Sequence, residues 1–96
     1  MKPFPARDVA AALSRKGFEK RQNDHTYFHF RYRGRDVGVS TMISHGEKEI
    51  GFGLIKRMRA QLRLETNADF ARFVECPLTL EEYVTILKRL GILGDD

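Results

Sequence analysis

The stretch "QNDHTYFHFRYR", residues 22–33, decides the fold, because it combines two histidines, four aromatic residues and two arginines in twelve positions. This composition, followed by a turn signal at Gly34, predicts a long β-strand over residues 25–32. Successive side chains of a strand point to opposite faces of the sheet. Phe28 and Phe30 therefore share one face, which we expect helices to cover. The other face should point outward and carry an aromatic and basic row: His25, Tyr27, His29 and Arg31.

Two shorter strands flank this one. "FEKR" (18–21) precedes it, and "RDVGVSTM" (35–42) follows the turn. Because the connections are short, the three strands predict an antiparallel meander. A helix is predicted before the meander, within residues 4–18, with Pro5 in its first turn and Gly17 just after its last. A second amphipathic helix is predicted after it, within residues 51–64.

The last third of the chain predicts two more helices. The first of them spans residues 67–77, with Asn67 as its N-cap and Pro77 at its end. The other spans residues 79–93, opens with a capping box of Thr79 and Glu82, and closes at Gly91. Since two short helices cannot bury enough apolar surface alone, we expect them to dock, on this chain or on a second copy. The docking residues should be Phe70, Phe73, Val74, Tyr83, Val84, Leu87 and Leu90.

The predicted fold class is α+β: an α-β-β-β-α unit with a three-stranded antiparallel sheet and helices on one face, plus two C-terminal helices. Residues 1–64 form the first unit, and residues 65–96 form a helical extension packed on it. One core should lie between the sheet and the first two helices. Its expected members are Leu13, Phe28, Phe30, Val37, Val39, Leu54, Ile55 and Met58.

Composition narrows the functional classes. Seventeen Lys and Arg residues against thirteen Asp and Glu give a formal charge of +4, which makes nucleic acid the leading class of partner. The single cysteine, Cys76, cannot form an internal disulfide. The N-terminal residues "MKPFPARDVA" contain no apolar run suited to a signal peptide or a membrane span. We therefore expect a cytoplasmic protein without a membrane partner.

Three interpretations of the outward row remain open. It can be an ordinary solvated strand face. It can contribute to a metal site with His45, although the chain lacks an HExxH motif or paired cysteines and about 13 Å would separate His25 from His29 along a strand. It can also bind nucleic acid, with Tyr27 stacking on a base, Arg31 contacting phosphate and a histidine transferring protons.

The segment "MISHGEKEIGFGLIKRMR", residues 42–59, bears on the third interpretation. His45 and Gly46 lie in the loop that leaves the third strand, and Gly51 and Gly53 lie where the second helix begins. Backbone N–H groups there, together with Lys56, could hold an anion. The alternative is that these glycines only serve a turn.

The order of these segments resembles the HicA family of type II toxins, small proteins with a fold like that of double-stranded-RNA-binding domains. The resemblance covers residues 6–64 and rests on "SRKGFEKR", "NDHTYFHF" and "SHGEKEIGFGLIKRMRAQL". His25 occupies the position of the family's essential histidine. Asn23 and Asp24 replace the Gly and Ser or Thr that usually precede it, and residues 66–96 have no counterpart in the minimal toxin. The later family pattern is matched by His45, Lys48, Glu49, Ile50, Gly53, Met58 and Gln61.

The resemblance implies a metal-independent endoribonuclease that cleaves mRNA, with His25 as the single general acid or base and no cofactor. It also implies a partner, a HicB-type antitoxin protein that covers His25. The alternative is a non-catalytic RNA-binding or protein-binding module of the same fold, which the replaced Gly-Ser pair favours. The residues expected to bind RNA are Tyr27, His29, Arg31, His45, Lys56 and Arg59.

Overall fold

The structure is a computed structural model that describes residues 3–75 and 78–94. Five strands and four helices follow one another in these residues. In chain order they are β1 (Phe4–Pro5), α1 (Ala6–Arg15), β2 (Phe18–Gln22), β3 (Thr26–Tyr32), β4 (Arg35–Ile43), β5 (Glu49–Ile50), α2 (Phe52–Gln61), α3 (Asn67–Glu75) and α4 (Leu80–Arg89). The expected α+β class, with a three-stranded antiparallel sheet and four helices, is confirmed.

The main sheet has the order β2-β3-β4, and both of its pairings are antiparallel. Phe18 of β2 lies opposite Phe30, and Thr41 of β4 lies opposite Phe28. The register shifts between His29 and Arg31, where β4 carries extra residues around Gly38. Gly38 has φ +83, and its N–H donates to Oδ1 of Asp36 over 2.9 Å, which makes this bulge a local turn within the strand.

A second, two-stranded sheet was not predicted. Phe4 pairs with Ile50 and Pro5 with Glu49, and the N–H of Ala6 donates to the carbonyl of Lys48 over 2.9 Å. Strands of two residues are too short to show an alternation of apolar and polar residues. They form only because the fold brings two distant segments together. The pairing fixes the loop between β4 and α2 against the start of α1.

The predicted helix ends are confirmed after α1 and at the start of α4. Gly17 follows α1 with φ +87, and an added Cβ would come within 3.3 Å of the Phe30 ring. Thr79 and Glu82 form the predicted capping box of α4. The prediction of Asn67 as the N-cap of α3 was wrong, because Asn67 is the first helical residue. The hydroxyl of Thr66 accepts from the N–H of Asp69 over 3.0 Å, which makes Thr66 the N-cap. Helix α3 ends at Glu75, and the predicted end at Pro77 lies outside the described residues.

A single core holds the sheet and all four helices together. Phe28 and Phe30 are completely buried, which confirms the predicted inward face of β3. Leu13, Val39, Ile55 and Met58 are also buried as predicted, whereas Val37 and Leu54 are only partly buried against this core. No helix among the described residues is long and apolar enough to cross a membrane.

The C-terminal helices dock on the same chain. Tyr83 is fully buried, its ring contacts those of Phe18, Phe30 and Phe73 at centroid distances of 5.3 to 6.0 Å, and its hydroxyl donates to the carbonyl of Leu62 over 2.8 Å. Lys16 of α1 is buried as well and donates from Nζ to the carbonyl of Phe73 over 2.7 Å. Phe70, Val74 and Leu87 are buried and Val84 partly buried, as predicted. The prediction for Leu90 was wrong, since this side chain is 44% exposed. Leu78 and Leu93, which the prediction did not include, are buried.

Candidate functional site: a row of rings beside a cationic cleft

His25 lies in the turn between β2 and β3, one residue before the strand that was predicted to contain it. The turn is closed by the N–H of Asn23, which donates to the carbonyl of His25 over 2.9 Å. The N–H of His25 in turn donates to Oδ1 of Asp24 over 3.2 Å. Asn23 and Asp24, which depart from the family pattern, therefore shape the backbone that presents His25.

Four rings follow one another from the loop after β4 onto the sheet, and we call them the ring row: His45, His25, Tyr27 and His29. The ring centroids of His45 and His25 are 6.5 Å apart, those of His25 and Tyr27 6.2 Å, and those of Tyr27 and His29 6.4 Å. Tyr27 and His29 are nearly parallel at 23°, as expected for alternate residues of one strand face. The sequence predicted that His25, Tyr27 and His29 lie side by side, but the proximity of His45 depends on the fold.

His45 reaches His25 because the loop leaving β4 turns sharply. The N–H of Glu47 donates to the carbonyl of Ser44 over 3.1 Å, and Gly46 has φ +87, a conformation that glycine adopts without strain. Gly46 thus serves a turn, as the simpler of the two interpretations held. That turn nevertheless places a second imidazole beside the first.

The Nδ1 atom of His25 is buried and has no hydrogen-bond partner among the described residues. A buried N–H without an acceptor costs about 1–3 kcal/mol, so the neutral ring is better off with its proton on Nε2. A partner carboxylate on Nδ1, of the kind that orients histidine in many hydrolases, is absent from the described part of the chain. General acid–base chemistry at Nε2 therefore requires the other tautomer, in which the buried Nδ1–H has no acceptor among the described residues.

Tyr27 is tied to the same turn. Its hydroxyl donates to Oδ1 of Asp24 over 3.4 Å. Loss of solvation, followed by the charge of Asp24 and this hydrogen bond, raises the pKa of Tyr27 above its ordinary value. The phenol therefore stays neutral under physiological conditions, and its ring offers a stacking face in the ring row.

Arg31 is not brought to His25. It lies at the opposite end of β3, about 20 Å away at roughly 3.3 Å per residue. Its Nη2 donates to the carbonyl of Gly34 over 2.7 Å, which engages it in the hairpin turn. His29 contacts Asp36, with 3.6 Å between Nδ1 and Oδ2. Both side chains of the outward face thus have partners within the sheet.

The two predicted cations of α2 also differ in their surroundings. Arg59 donates from Nη1 to Oδ1 of Asn67 over 3.1 Å, in a partly buried contact that links α2 to α3. Lys56 is exposed. The α2 cation that shares a small cavity with Ser44 and Glu47 is Arg57, which sequence reasoning did not select.

A cleft lies between α1, the Phe-bearing face of the sheet and the loop after β4. We call it the cationic cleft, because Arg7, Lys20 and His45 line it, with Glu47 as the one acidic side chain in its wall. Sequence reasoning missed Arg7 and Lys20. Lys20 pairs with Phe28 and so occupies an inward position of β2, and a lysine at such a position was the available signal. Thr26, Ser44 and Gly46 complete the polar wall, and Ala6, Ala10, Phe28 and Ile43 form the apolar part.

A metal site at the three histidines has little support from their arrangement. His25 and His45 are neighbours, but the ring of Tyr27 lies between His25 and His29. Within residues 3–75 and 78–94, no group of three or more His, Cys, Asp or Glu side chains could hold a metal ion.

Comparison of the chain with protein-family models, with curated proteins and with solved structures found no match. The function therefore has to be argued from the ring row and the cationic cleft.

Proposed function

We propose that the protein is a metal-independent endoribonuclease of the HicA-like kind, built on a fold like that of double-stranded-RNA-binding domains, with His25 as its proton-transferring residue. The observation that carries the proposal is the place of His25 in the middle of the ring row, between His45 and Tyr27. Rings at this spacing offer stacking faces to successive bases of a single strand. Histidine is the side chain that enzymes use most often to transfer protons.

The reaction needs only groups of this kind. The ribose 2′-oxygen attacks the adjacent phosphorus and loses its proton, the bond from phosphorus to the 5′-oxygen breaks, and that oxygen gains a proton. The products are a 2′,3′-cyclic phosphate and a new 5′-hydroxyl end. His25 makes one of these two proton transfers at Nε2, since its Nδ1 is buried, and a water molecule makes the other.

The proposal includes the substrate, the compartment and the protein partner. The substrate is mRNA in the cytoplasm, and the protein partner is an antitoxin of the HicB type. Such a partner would act by covering the ring row, because a base cannot stack on rings that a protein already contacts.

The test is cleavage of single-stranded RNA by the purified protein in the presence of EDTA. We expect wild type to cut the RNA to cyclic-phosphate ends and His25→Ala to lose cutting while it still binds RNA. His29→Ala is the matched control, because it removes an imidazole from the same row at a position away from His45; it should still cut, with a higher KM from the lost stacking contact and a retained kcat. Intact RNA with wild type, or equal cutting by His25→Ala, would contradict the nuclease proposal.

A second candidate is a non-catalytic RNA-binding module of the same fold. The specific observation in its favour is that Nδ1 of His25 has no orienting partner, while the carboxylate nearest in sequence, Asp24, accepts from Tyr27 and from the backbone of His25. This candidate predicts binding of the same RNA without cleavage. Tyr27→Ala should then weaken binding more than His25→Ala does, because the larger ring stacks better.

A further inference from the structure

We propose that the cationic cleft binds a phosphate of the single-stranded RNA whose bases stack on the ring row, so that the strand crosses the protein from Arg7 and Lys20, past His45, to His25 and Tyr27. This inference rests on the proposed RNA-cleaving function and adds the path of the substrate. It assigns roles to two side chains to which the resemblance gives none, Arg7 in α1 and Lys20 in β2.

The first support is the convergence of hydrogen-bond donors from separate elements. Arg7 comes from α1, Lys20 from β2, and His45 from the loop after β4, and all three line one cleft. Hydroxyl groups of Thr26 and Ser44 add two more donors to its wall. A phosphate accepts several such bonds at once, and charge-assisted ones are the strongest. Glu47 in the same wall repels an anion, but Arg7 and Lys20 outweigh it, so the cleft has a net positive charge.

The second support is that the two cations are available. Within the described residues neither Arg7 nor Lys20 has an ion pair or a side-chain hydrogen bond, and both are exposed. Four other arginines are already engaged, each by a specific acceptor. Arg21 pairs with Glu19, Arg31 with Gly34, Arg59 with Asn67 and Arg72 with Glu82.

The third support is continuity with the ring row. His45 belongs to both features: it lines the cleft, and its ring lies 6.5 Å from that of His25. A strand with one phosphate in the cleft therefore meets the ring row at His45. Ala6 and Ala10 in the cleft wall leave the room that longer side chains would fill. Stacked bases and a tracked backbone are the usual combination in proteins that bind single strands.

The test measures binding, so that it does not depend on catalysis. A fluorescent single-stranded RNA oligonucleotide with 2′-O-methyl riboses, which the proposed reaction cannot cleave, is titrated by anisotropy at several salt concentrations. The variants are Arg7→Gln and Lys20→Gln. The matched control is Arg89→Gln, which removes the same charge from the groove between α3 and α4. Thermal unfolding of each variant checks that the fold is kept.

We expect each cleft variant to bind about tenfold more weakly near physiological salt, the equivalent of one charge-assisted hydrogen bond. The slope of log K against log salt should become shallower by about 0.7 for each variant, as one phosphate contact to a single strand is lost. Arg89→Gln should retain the wild-type slope. Equal slopes for the cleft variants and wild type would overturn the proposal, and so would an equal loss in the Arg89 control.

The outcomes separate this inference from the proposed function. In one outcome, wild type leaves RNA with free 2′-hydroxyls intact while Arg7→Gln and Lys20→Gln make the slope of log K against log salt shallower. In that case the nuclease proposal fails and the proposal of a phosphate-binding cleft stands. If wild type cuts RNA and both variants bind and cut like wild type, the nuclease stands and the cleft is wrong.

Discussion

Tyr83 shows at the scale of one residue how the C-terminal part is held. Its ring is fully buried between aromatic residues, and its hydroxyl donates to the carbonyl of Leu62. Burial raises the pKa of Tyr83 above its ordinary value of 10.0, with a smaller opposing effect of Arg63. The folded protein therefore keeps this proton at a pH where the unfolded chain has lost it. The stability that Tyr83 contributes is present below pH 10.0 and is lost as the pH rises above it.

Tyr83→Phe tests this linkage. We expect the variant to lose about 1 kcal/mol of unfolding free energy at neutral pH, because one buried hydrogen bond disappears. The wild-type free energy should then fall more steeply than that of the variant above pH 10.0, so the difference between them shrinks. Urea unfolding at a series of pH values measures both quantities. A difference that is constant over the alkaline range would mean that Tyr83 titrates alike in the folded and unfolded chains.

At the scale of elements, α4 depends on its first turn. The hydroxyl of Thr79 accepts from the N–H of Glu82 over 3.1 Å, and the N–H of Thr79 donates back to the Glu82 carboxylate over 3.4 Å. Thr79→Ala should cost about 1 kcal/mol, the usual value for an N-cap, because the N–H of Glu82 loses its acceptor. Thermal or urea unfolding measures the loss.

Thr85→Ala is the control for that prediction, since it makes the same substitution in the interior of the same helix. The Thr85 hydroxyl donates to the carbonyl of Glu81 over 3.0 Å, a carbonyl that already serves the helix. Alanine is the better helix former, so this change should be neutral or slightly stabilising. A loss at Thr85 as large as that at Thr79 would attribute the effect to the threonine side chain in general and not to the cap.

At the scale of the whole molecule, one core joins the sheet to the C-terminal helices. Helices α3 and α4 supply five buried side chains, among them Phe70, Phe73 and Tyr83. The backbone carbonyl of Phe73 also accepts a hydrogen bond from the buried Lys16. A chain that ends at Leu64 should therefore unfold or aggregate. It would expose Phe18 and Phe30 and leave Lys16 without its carbonyl acceptor.

Circular dichroism and size exclusion of residues 1–64 check this prediction against the full chain. Loss of the cooperative thermal transition is the expected result. A truncated protein that stays monomeric and keeps the melting temperature of the full chain would show that the C-terminal helices contribute little to stability.

Local patterns in the sequence determined most of the elements. The strand faces of β3, the end of α1 at Gly17 and the capping box of α4 depend on neighbours two to four residues away, and all three were predictable. The common orientation of His25, Tyr27 and His29 was also predictable, because they are alternate residues of one short segment. The N-cap of α3 failed within this range, since Thr66 and Asn67 are both suitable caps and only the Arg59 contact with Asn67 distinguishes them.

Tertiary structure alone decided what surrounds His25. The approach of His45 to it needs the turn at Gly46, and the cationic cleft needs Arg7, Lys20 and His45 to meet from parts of the chain up to 38 positions apart. The short pairing of β1 with β5 holds the same loop against α1. The physical reason is that periodicity reports which face a side chain takes within its own element. The contacts between elements depend on how the shared core packs, and no local pattern records that packing.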